Sequence, residues 1–539
     1  MRHTITFFIL FAYCFSYCQI SIDVRSLGAV GDSATLNTTA IQQATDSVSH
    51  NGGGEVIIDS GVYISSTIIL ESNVTLRITP GTKLFAVPND GDYPSLPYNV
   101  RTWSDTYTTH SLIFAEDATN IRITGGGLID GNGFGVGYLS VTKNFRPFGF
   151  RIHDCANVII DSINFRSAPQ WMGHLTGCTN VHINAITITN LGWGSNDGID
   201  IDCCRGVLVE NSNFDTDDDC LPVKTHSENI CRDVLVRNCT MASFERAVKV
   251  GNETLGPIVN VRFQDITVNQ NSFSLPEVPF NAMYIAVTDG GSIDSVFFER
   301  IQVNIPTQTS IFIKLNERFN RYTGDTFPLP TVKYVRNIWL KDISATSTTN
   351  IPCSVTGIPG YPVQNVNFEN VQITVPGNDT ALGTTNVPEL LTTRPEFNMW
   401  GNILPTFGLY VRHETGLVLN NFCVDTLGPD ARSYYYFEDT TSVEVLNQCV
   451  STSVGIKNVV GDEIQIYPNP ASDQLNVTGM SLKAEGLLLY STTGALVSAT
   501  PVLGRSRLSI DVSKLSVGVY FLVARGPNYT LNRKVVVSK

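Results

Sequence analysis

The sequence predicts an all-β chain, a right-handed parallel β-helix followed by a small β-sandwich. Three observations carry that prediction. A short apolar alternation introduced by Asn or a small polar residue recurs at Asn73-Val74, Asn120-Ile121, Asn157-Val158, Asn180-Val181, Gly206-Val207, Asp233-Val234, Asn260-Val261, Ser295-Val296, Asn337-Ile338 and Asn365-Val366. From Val158 onward the steps are 23, 26, 27, 27, 35, 42 and 28 residues, the period of stacked one-dimensional architectures. Secondly, Cys155, Cys178, Cys204 and Cys231 each stand three residues before the Val of their repeat. Equivalent positions stack in a β-helix, so these four should form a ladder on consecutive coils, about 4.8 Å apart. Stacked parallel side chains offer poor disulfide torsions, which favours a buried, reduced ladder. Thirdly, a helical stripe shows only at Thr38 to Val48, where Ala40, Ile41, Ala44 and Val48 recur at helical spacing.

Taken in order, residues 1–18 read as a secretory signal peptide: Met1-Arg2-His3 is basic, and Phe7 to Phe15 is apolar but too short to span a membrane. Ten of the 12 cysteines lie beyond it, in a chain that meets an oxidising environment. Residues 19–455 form the β-helix. Its opening piece, from about Ile20 to Gly53, is a cap whose helix blunts the open end of the solenoid. Two inserts rich in Pro, Gly and aromatics, Asn304 to Pro330 and Pro376 to Pro405, should lie on one face and build a binding groove. Residues 463–539 carry short antiparallel-type strands, a small β-sandwich by pattern.

Composition narrows the function. With 36 basic and 49 acidic residues the net charge is −13, and only 16% of residues are charged. That leaves no basic face for neutralising phosphates, which excludes a nucleic-acid binder of the usual kind. A hydrophobic content of 42% excludes a disordered chain. Past residue 19 no apolar run approaches the roughly 18 residues of a membrane span.

The chemistry lies between Gly192 and Thr225, in "GWGSNDGIDIDCCRGVLVENSNFDTDDDCLPVKT". Asp197 and the Asp217-Asp218-Asp219 turn are one coil apart, so stacking brings them to one face. Crowded carboxylates cannot all stay ionised, and at least one proton affinity must rise. That is how a general acid arises beside a general base. Turn capping by Asp and Asn is an alternative use of these residues, and a Ca²⁺ site another.

"SNDGIDI" followed 21 residues later by "DTDDDC" resembles the Asn-Thr-Asp-Gly and Asp-Asp-Cys motifs of glycoside hydrolase family 28, the polygalacturonases and rhamnogalacturonases. The similarity extends through "RPFGFRIHDCANVIIDSINFRSAPQW" and covers roughly residues 22 to 450. It implies a parallel β-helix, inverting hydrolysis and no metal or other cofactor. Asp218 would be the general acid, with Asp197 and Asp219 holding and activating water; inverting pairs stand about 6.5–9.5 Å apart. Asn196 stands where the motif has Thr, and Ser195 where it has Asn. The family's Gly-His-Gly should fall near Phe244-Glu245-Arg246 and its Arg-Ile-Lys near Tyr284-Ile285-Ala286, and neither is present.

Substrate contacts are therefore sought in Trp193, Lys224, Arg246, Lys249, Lys314, Arg318 and His413, with Arg412 beside the last. On a regular strand Arg246 would point away from Lys249. Trp171 and His174 read as a buried aromatic stack or a sugar-stacking face.

Further on, Tyr467-Pro468-Asn469-Pro470, "LSVGVY" and the terminal Lys534-Val535-Val536-Val537 resemble the C-terminal sorting domain of the type IX secretion system. That implies a secreted or surface-attached protein whose partners are a polysaccharide and the secretion machinery. The reading is a hydrolase of an acidic polysaccharide, pectin first and a sulfated algal galactan second. A Ca²⁺-dependent β-helix lyase and a non-catalytic glycan-binding solenoid are the alternatives.

Overall fold

The computed structural model describes residues 20–97, 108–134, 146–192, 194–272, 280–318, 331–447, 449, 465–478, 486–491, 496–501, 507–526 and 529–539. The signal-peptide segment and Trp193 lie outside the described residues. The chain divides into two compact units, one up to residue 451 and one from 452.

The first unit is one long parallel sheet wound into coils, as the repeat predicted. Every repeat position from Ile121 to Val366 pairs with the next: Ile121 with Val158, then Val181, Val207, Val234, Val261, Val296, Ile338 and Val366 in turn. These side chains are buried and line one continuous core. The residue before each of them explains the Asn signature. Asn73, Asn120, Asn157, Asn180, Asp233, Asn260, Ser295, Asn337 and Asn365 all have φ between 54° and 64°, and Gly206 has φ 67°. Each turn thus needs a left-handed residue, which Gly, Asn and Asp tolerate best. Their side chains also hydrogen-bond from coil to coil: Asn120 Nδ2 donates to Asn73 Oδ1 at 2.8 Å, Asn157 to Asn120 at 2.9 Å, and Asn180 to Asn157 at 2.6 Å.

The cysteine ladder is present. Thr179, Arg205 and Arg232 donate their backbone N–H to the carbonyls of Cys155, Cys178 and Cys204, at 2.9, 2.9 and 2.8 Å. All four thiols, Cys231 included, are buried and unbridged. Cys423 and Cys449 form a disulfide with Cα atoms 5.5 Å apart. The helix Thr38–His50 buries Ile41, Ala44 and Val48 against the first strands, in the capping position the sequence indicated.

One insert is shorter than its sequence suggested. Within Asn304 to Pro330, residues Thr309–Leu315 form a regular strand paired with Asn281–Val287 and Cys353–Thr356. Its apolar alternation belongs to a coil. The Pro376 to Pro405 segment contains no strand and crosses the outer face of the later coils.

In the second unit, Gln465–Tyr467, Gln474–Thr478 and Arg507–Asp511 form one antiparallel sheet. Leu496–Pro501, Gly486–Ser491, Gly518–Gly526 and Tyr529–Val537 form the other. Leu475, Val477, Leu487, Leu489, Ile510, Leu522, Val535 and Val537 are buried as its own apolar core.

Candidate active site

Three successive rungs build the acidic face. Gly198 N–H donates to Asp219 O at 2.9 Å and Ile199 N–H to Cys220 O at 3.2 Å, while Cys220 N–H donates to Arg246 O at 3.3 Å. Gly198 is what lets the first two rungs close, since a Cβ there would sit 2.1 Å from the Cys220 carbonyl oxygen. Asn196 is buried and donates to the carbonyls of Ala168 at 2.7 Å and Gln170 at 3.2 Å, fixing the backbone just before Asp197. Asn190 Nδ2 holds the Asp197 carbonyl at 2.8 Å.

A bend breaks the strand alternation at the second acidic turn. The Thr216 and Ser243 hydroxyls both donate to Asp218 O at 2.7 Å. This puts Asp218 and Asp219 in the same groove, where Asp197, Asp218 and Asp219 offer oxygens that all lie within 4.8 Å of one another. The nearest oxygens are therefore closer than the about 6.5–9.5 Å expected between the carboxyls of an inverting pair, because adjacent rungs set the spacing. Asp217 does not join them: its Oδ2 accepts from the N–H groups of Gly192 and Gly194, each at 3.1 Å, which is turn chemistry.

The environment separates the three carboxyls. Asp219 is buried, yet Lys249 Nζ bonds it and Arg246 Nη1 stands 3.7 Å away, so the two cations overcome the burial penalty and hold it below the usual carboxylate range. Asp218 is partly exposed to the groove; desolvation and the neighbouring Asp219 charge raise it to about 6. Asp197 is buried, and desolvation together with Asp218 pushes it well above the usual range despite Lys224 at 3.6 Å. One face thus carries an ionised carboxylate beside two that retain protons more tightly. Among the described residues, the buried Asp197 Oδ1 and Asp219 Oδ1 have no hydrogen-bond partner.

Arg246 corrects the sequence expectation. It stands at the start of the strand Arg246–Thr254, straight after a second bend at Phe244-Glu245, and its long side chain turns back to Asp219 rather than away from Lys249. It also lies 4.8 Å over the Tyr284 ring and pairs with Glu245 and Glu396. Lys224 is buried among Asp200 at 3.1 Å, Asp197 at 3.6 Å and Glu253 at 3.8 Å, 4.4 Å over the Trp171 ring. Trp171 is itself buried against Phe148 and His174, the packed aromatic stack.

Three other expected contacts have partners of their own. Lys314 is buried 5.4 Å over the Trp400 ring, and desolvation lowers it to about 8. Arg318 faces Asp289 at 3.4 Å. His413 lies 2.5 Å from Asp439 and 3.1 Å from Glu389, and Arg412 pairs with the same Glu389.

Among the described residues, two groups could present ligands to a cation. Besides the three acids, His174, Asp202 and His226 lie within 4.8 Å of one another and are fully buried. His174 Nε2 and His226 Nδ1 are 3.1 and 3.0 Å from Asp202 Oδ2, and the His226 N–H donates to Asp202 Oδ1 at 2.9 Å. Asp202 raises the His226 proton affinity against the burial penalty, and the two imidazoles hold Asp202 well below the usual range. The three side chains form a hydrogen-bonded cluster centred on Asp202. On the acidic face, Lys249 and Arg246 already supply Asp219 with positive charge.

Sequence reasoning missed Asp200, Asp202, Glu253 and Glu396. The alternation "IDID" carried a usable signal for the first two: Ile199 and Ile201 enter the core, so Asp200 and Asp202 leave on the outer face. Glu245, raised to about 7 by burial and by its carboxylate neighbours, occupies the stretch where Gly-His-Gly was sought. Glu396 lies 150 residues from its partner Arg246, and nothing local announces it.

Comparison with known proteins agrees with this layout. The model of glycosyl hydrolases family 28 matches residues 63–393, and that of a secretion system C-terminal sorting domain matches residues 465–538. A protein of Vitis vinifera named "Probable polygalacturonase" is 26% identical over 66% of this chain and 74% of its own length. The "Exo-poly-alpha-D-galacturonosidase" of Dickeya chrysanthemi is 23% identical over 62% of this chain and 64% of its own. The family 28 exopolygalacturonase structure from Yersinia enterocolitica superposes with a TM-score of 0.61 at 19% identity, covering 80% of this chain and 79% of that one, a likeness of fold.

Proposed function

The chain belongs to glycosyl hydrolases family 28 and ends in a type IX sorting domain, and we propose that it is a secreted hydrolase of an acidic polysaccharide, homogalacturonan-type pectin first, acting with inversion. As a polygalacturonase-like glycoside hydrolase it is secreted or attached to the cell surface. The observation that carries the reaction is the split among three carboxyls whose oxygens lie within 4.8 Å.

Asp218, with its proton affinity raised to about 6, is the general acid. It gives its proton to the glycosidic oxygen as the bond from that oxygen to the anomeric carbon breaks. Asp219, kept ionised by Lys249 and Arg246, takes a proton from the attacking water, whose oxygen bonds the anomeric carbon. Asp197, which holds its proton more tightly and has a carboxyl oxygen within 4.8 Å of the other two acids, helps to position that water. The acid has lost one proton and the base has gained one, and exchange with solvent resets both. Lys224 supports Asp197 from beneath, alongside Asp200 and Glu253.

An acidic substrate suits the groove because Arg246 and Lys249 are cations beside the reacting acids. Names among the relatives point the same way. Inversion rests on family membership, and the tight spacing of the nearest oxygens makes stereochemistry its sharpest test. Proton NMR of freshly cleaved oligogalacturonate should show the β-anomer of the new reducing end before mutarotation. An initial α-anomer would mean retention and a covalent role for one of the acids.

A further inference from the structure

The segment from Val387 to Leu404 is a strap over the coils that follow the acids. Val387, Phe397, Trp400 and Leu404 are buried with Tyr284, Phe312, Ile351 and Tyr410 in an apolar cluster separate from the solenoid core. Backbone carbonyls of the strap are held along its length. Asn316 Nδ2 donates to Thr393 O at 2.5 Å, Glu317 N–H to Leu391 O at 2.9 Å, and Arg412 Nη1 to Val387 O at 2.7 Å. The Tyr284 hydroxyl lies 2.7 Å from Pro395 O.

Its tip reaches the acids. Glu396 pairs with Arg246 on one side and with Arg394 Nε at 2.8 Å on the other, and Arg246 lies 3.7 Å from Asp219. Asp219, Arg246, Glu396 and Arg394 thus form a row of alternating charge running from the reacting groups onto the strap. On the rungs beyond Lys249, the outward residues Tyr284, Phe312 and Tyr410 are covered: none is more than 1% exposed. A polysaccharide bound in mid-chain needs this face open on both sides of the acids.

Resting on the reading of the site as a glycosidase for an acidic polysaccharide, we infer that the strap dead-ends the groove, so that only a chain end enters, and that Arg394 receives the carboxylate of the terminal uronate. Arg394 suits that task. Its pair with Glu396 engages Nε, and 62% of its side chain remains exposed, so its terminal amino groups can fork onto a carboxylate. The strap thereby supplies an anion-binding group in a chain that lacks both cations of the Arg-Ile-Lys motif.

The test is chromatography of products from long de-esterified polygalacturonate, with viscosity recorded in parallel. The wild-type protein should release one short product from the first time point while viscosity barely falls. Arg394→Ala should raise KM about tenfold or more, as loss of a charged hydrogen bond does, with a smaller change in kcat, and Arg394→Lys should recover part of the loss. A variant with residues 390–399 replaced by a short Gly-Ser linker should release longer fragments. A ladder of oligosaccharides from the wild-type protein, or an Arg394→Ala variant with unchanged KM, would overturn the inference while leaving the hydrolase reading intact. No hydrolysis at all would overturn both.

Discussion

Asp218 gives the account its most quantitative handle, the alkaline limb of the pH–activity profile. Burial and the Asp219 charge raise this carboxyl to about 6. The direction follows from the role: a general acid works protonated, so activity must fall as pH rises through that value. A single site of this affinity is about nine-tenths protonated at pH 5 and about one-tenth at pH 7. The initial rate at low substrate, which reports the free enzyme, should therefore drop about eight- to tenfold between those two pH values. Asp218→Asn should cost about 100-fold or more in kcat, and its residual activity should lack this limb. On substrates with good leaving groups, which need little protonation, the variant should recover and the wild-type limb should flatten. The assay is reducing-end release from oligogalacturonate across pH 4 to 8. An alkaline limb above pH 8, or an Asp218→Asn variant retaining near wild-type rate and the same limb, would refute the assignment.

Lys249→Met should leave Asp219 buried without its bonded cation, Arg246 remaining at 3.7 Å; breaking a buried pair costs about 3–5 kcal/mol, read as a lower midpoint in urea. The depressed Asp219 contributes stability that is present above its unfolded value and lost as pH falls through the folded one, so the loss should be largest near neutrality and shrink in acid. Gly198→Ala forces a Cβ to within 2.1 Å of Cys220 O and should separate the acid-bearing rungs, lowering kcat far more than the melting temperature, read by steady-state kinetics and calorimetry. Truncation at residue 461 should leave the turnover of the purified β-helix unchanged while abolishing surface delivery, checked by cell fractionation. A folded but inactive truncation would contradict that division of labour.

The legible part of the fold came from its one-dimensional nature. Because each coil repeats its neighbour, Asn at a left-handed turn and Val at the next core position mark the register coil by coil, and Asn157-Val158 predicts Asn180-Val181. The stacking of Asp197 on the 217–219 turn came with that register. Features that the repeat does not govern resisted. The bend after Thr216 depends on two hydroxyls meeting one carbonyl. The backward turn of Arg246 depends on its place at a strand start, where alternation has only begun. Glu396 and Arg394 reach the site through an irregular segment with no period, so their distance from Arg246 in sequence carries no information about their distance in space. Lys314 read as a groove cation, but the same segment covers it.

The central claim is that the acidic face hydrolyses the glycosidic bonds of an acidic polysaccharide. Its most direct measurement is the simultaneous record of reducing ends and absorbance near 235 nm from de-esterified homogalacturonan, with and without a chelator, for wild-type protein and Asp218→Asn. The account predicts reducing ends that accumulate with no rise in absorbance, no effect of the chelator, and about 100-fold slower release by the variant. Unsaturated products that absorb and are suppressed by the chelator would make the protein a lyase, and no products from this or any acidic polysaccharide would make it a binding solenoid.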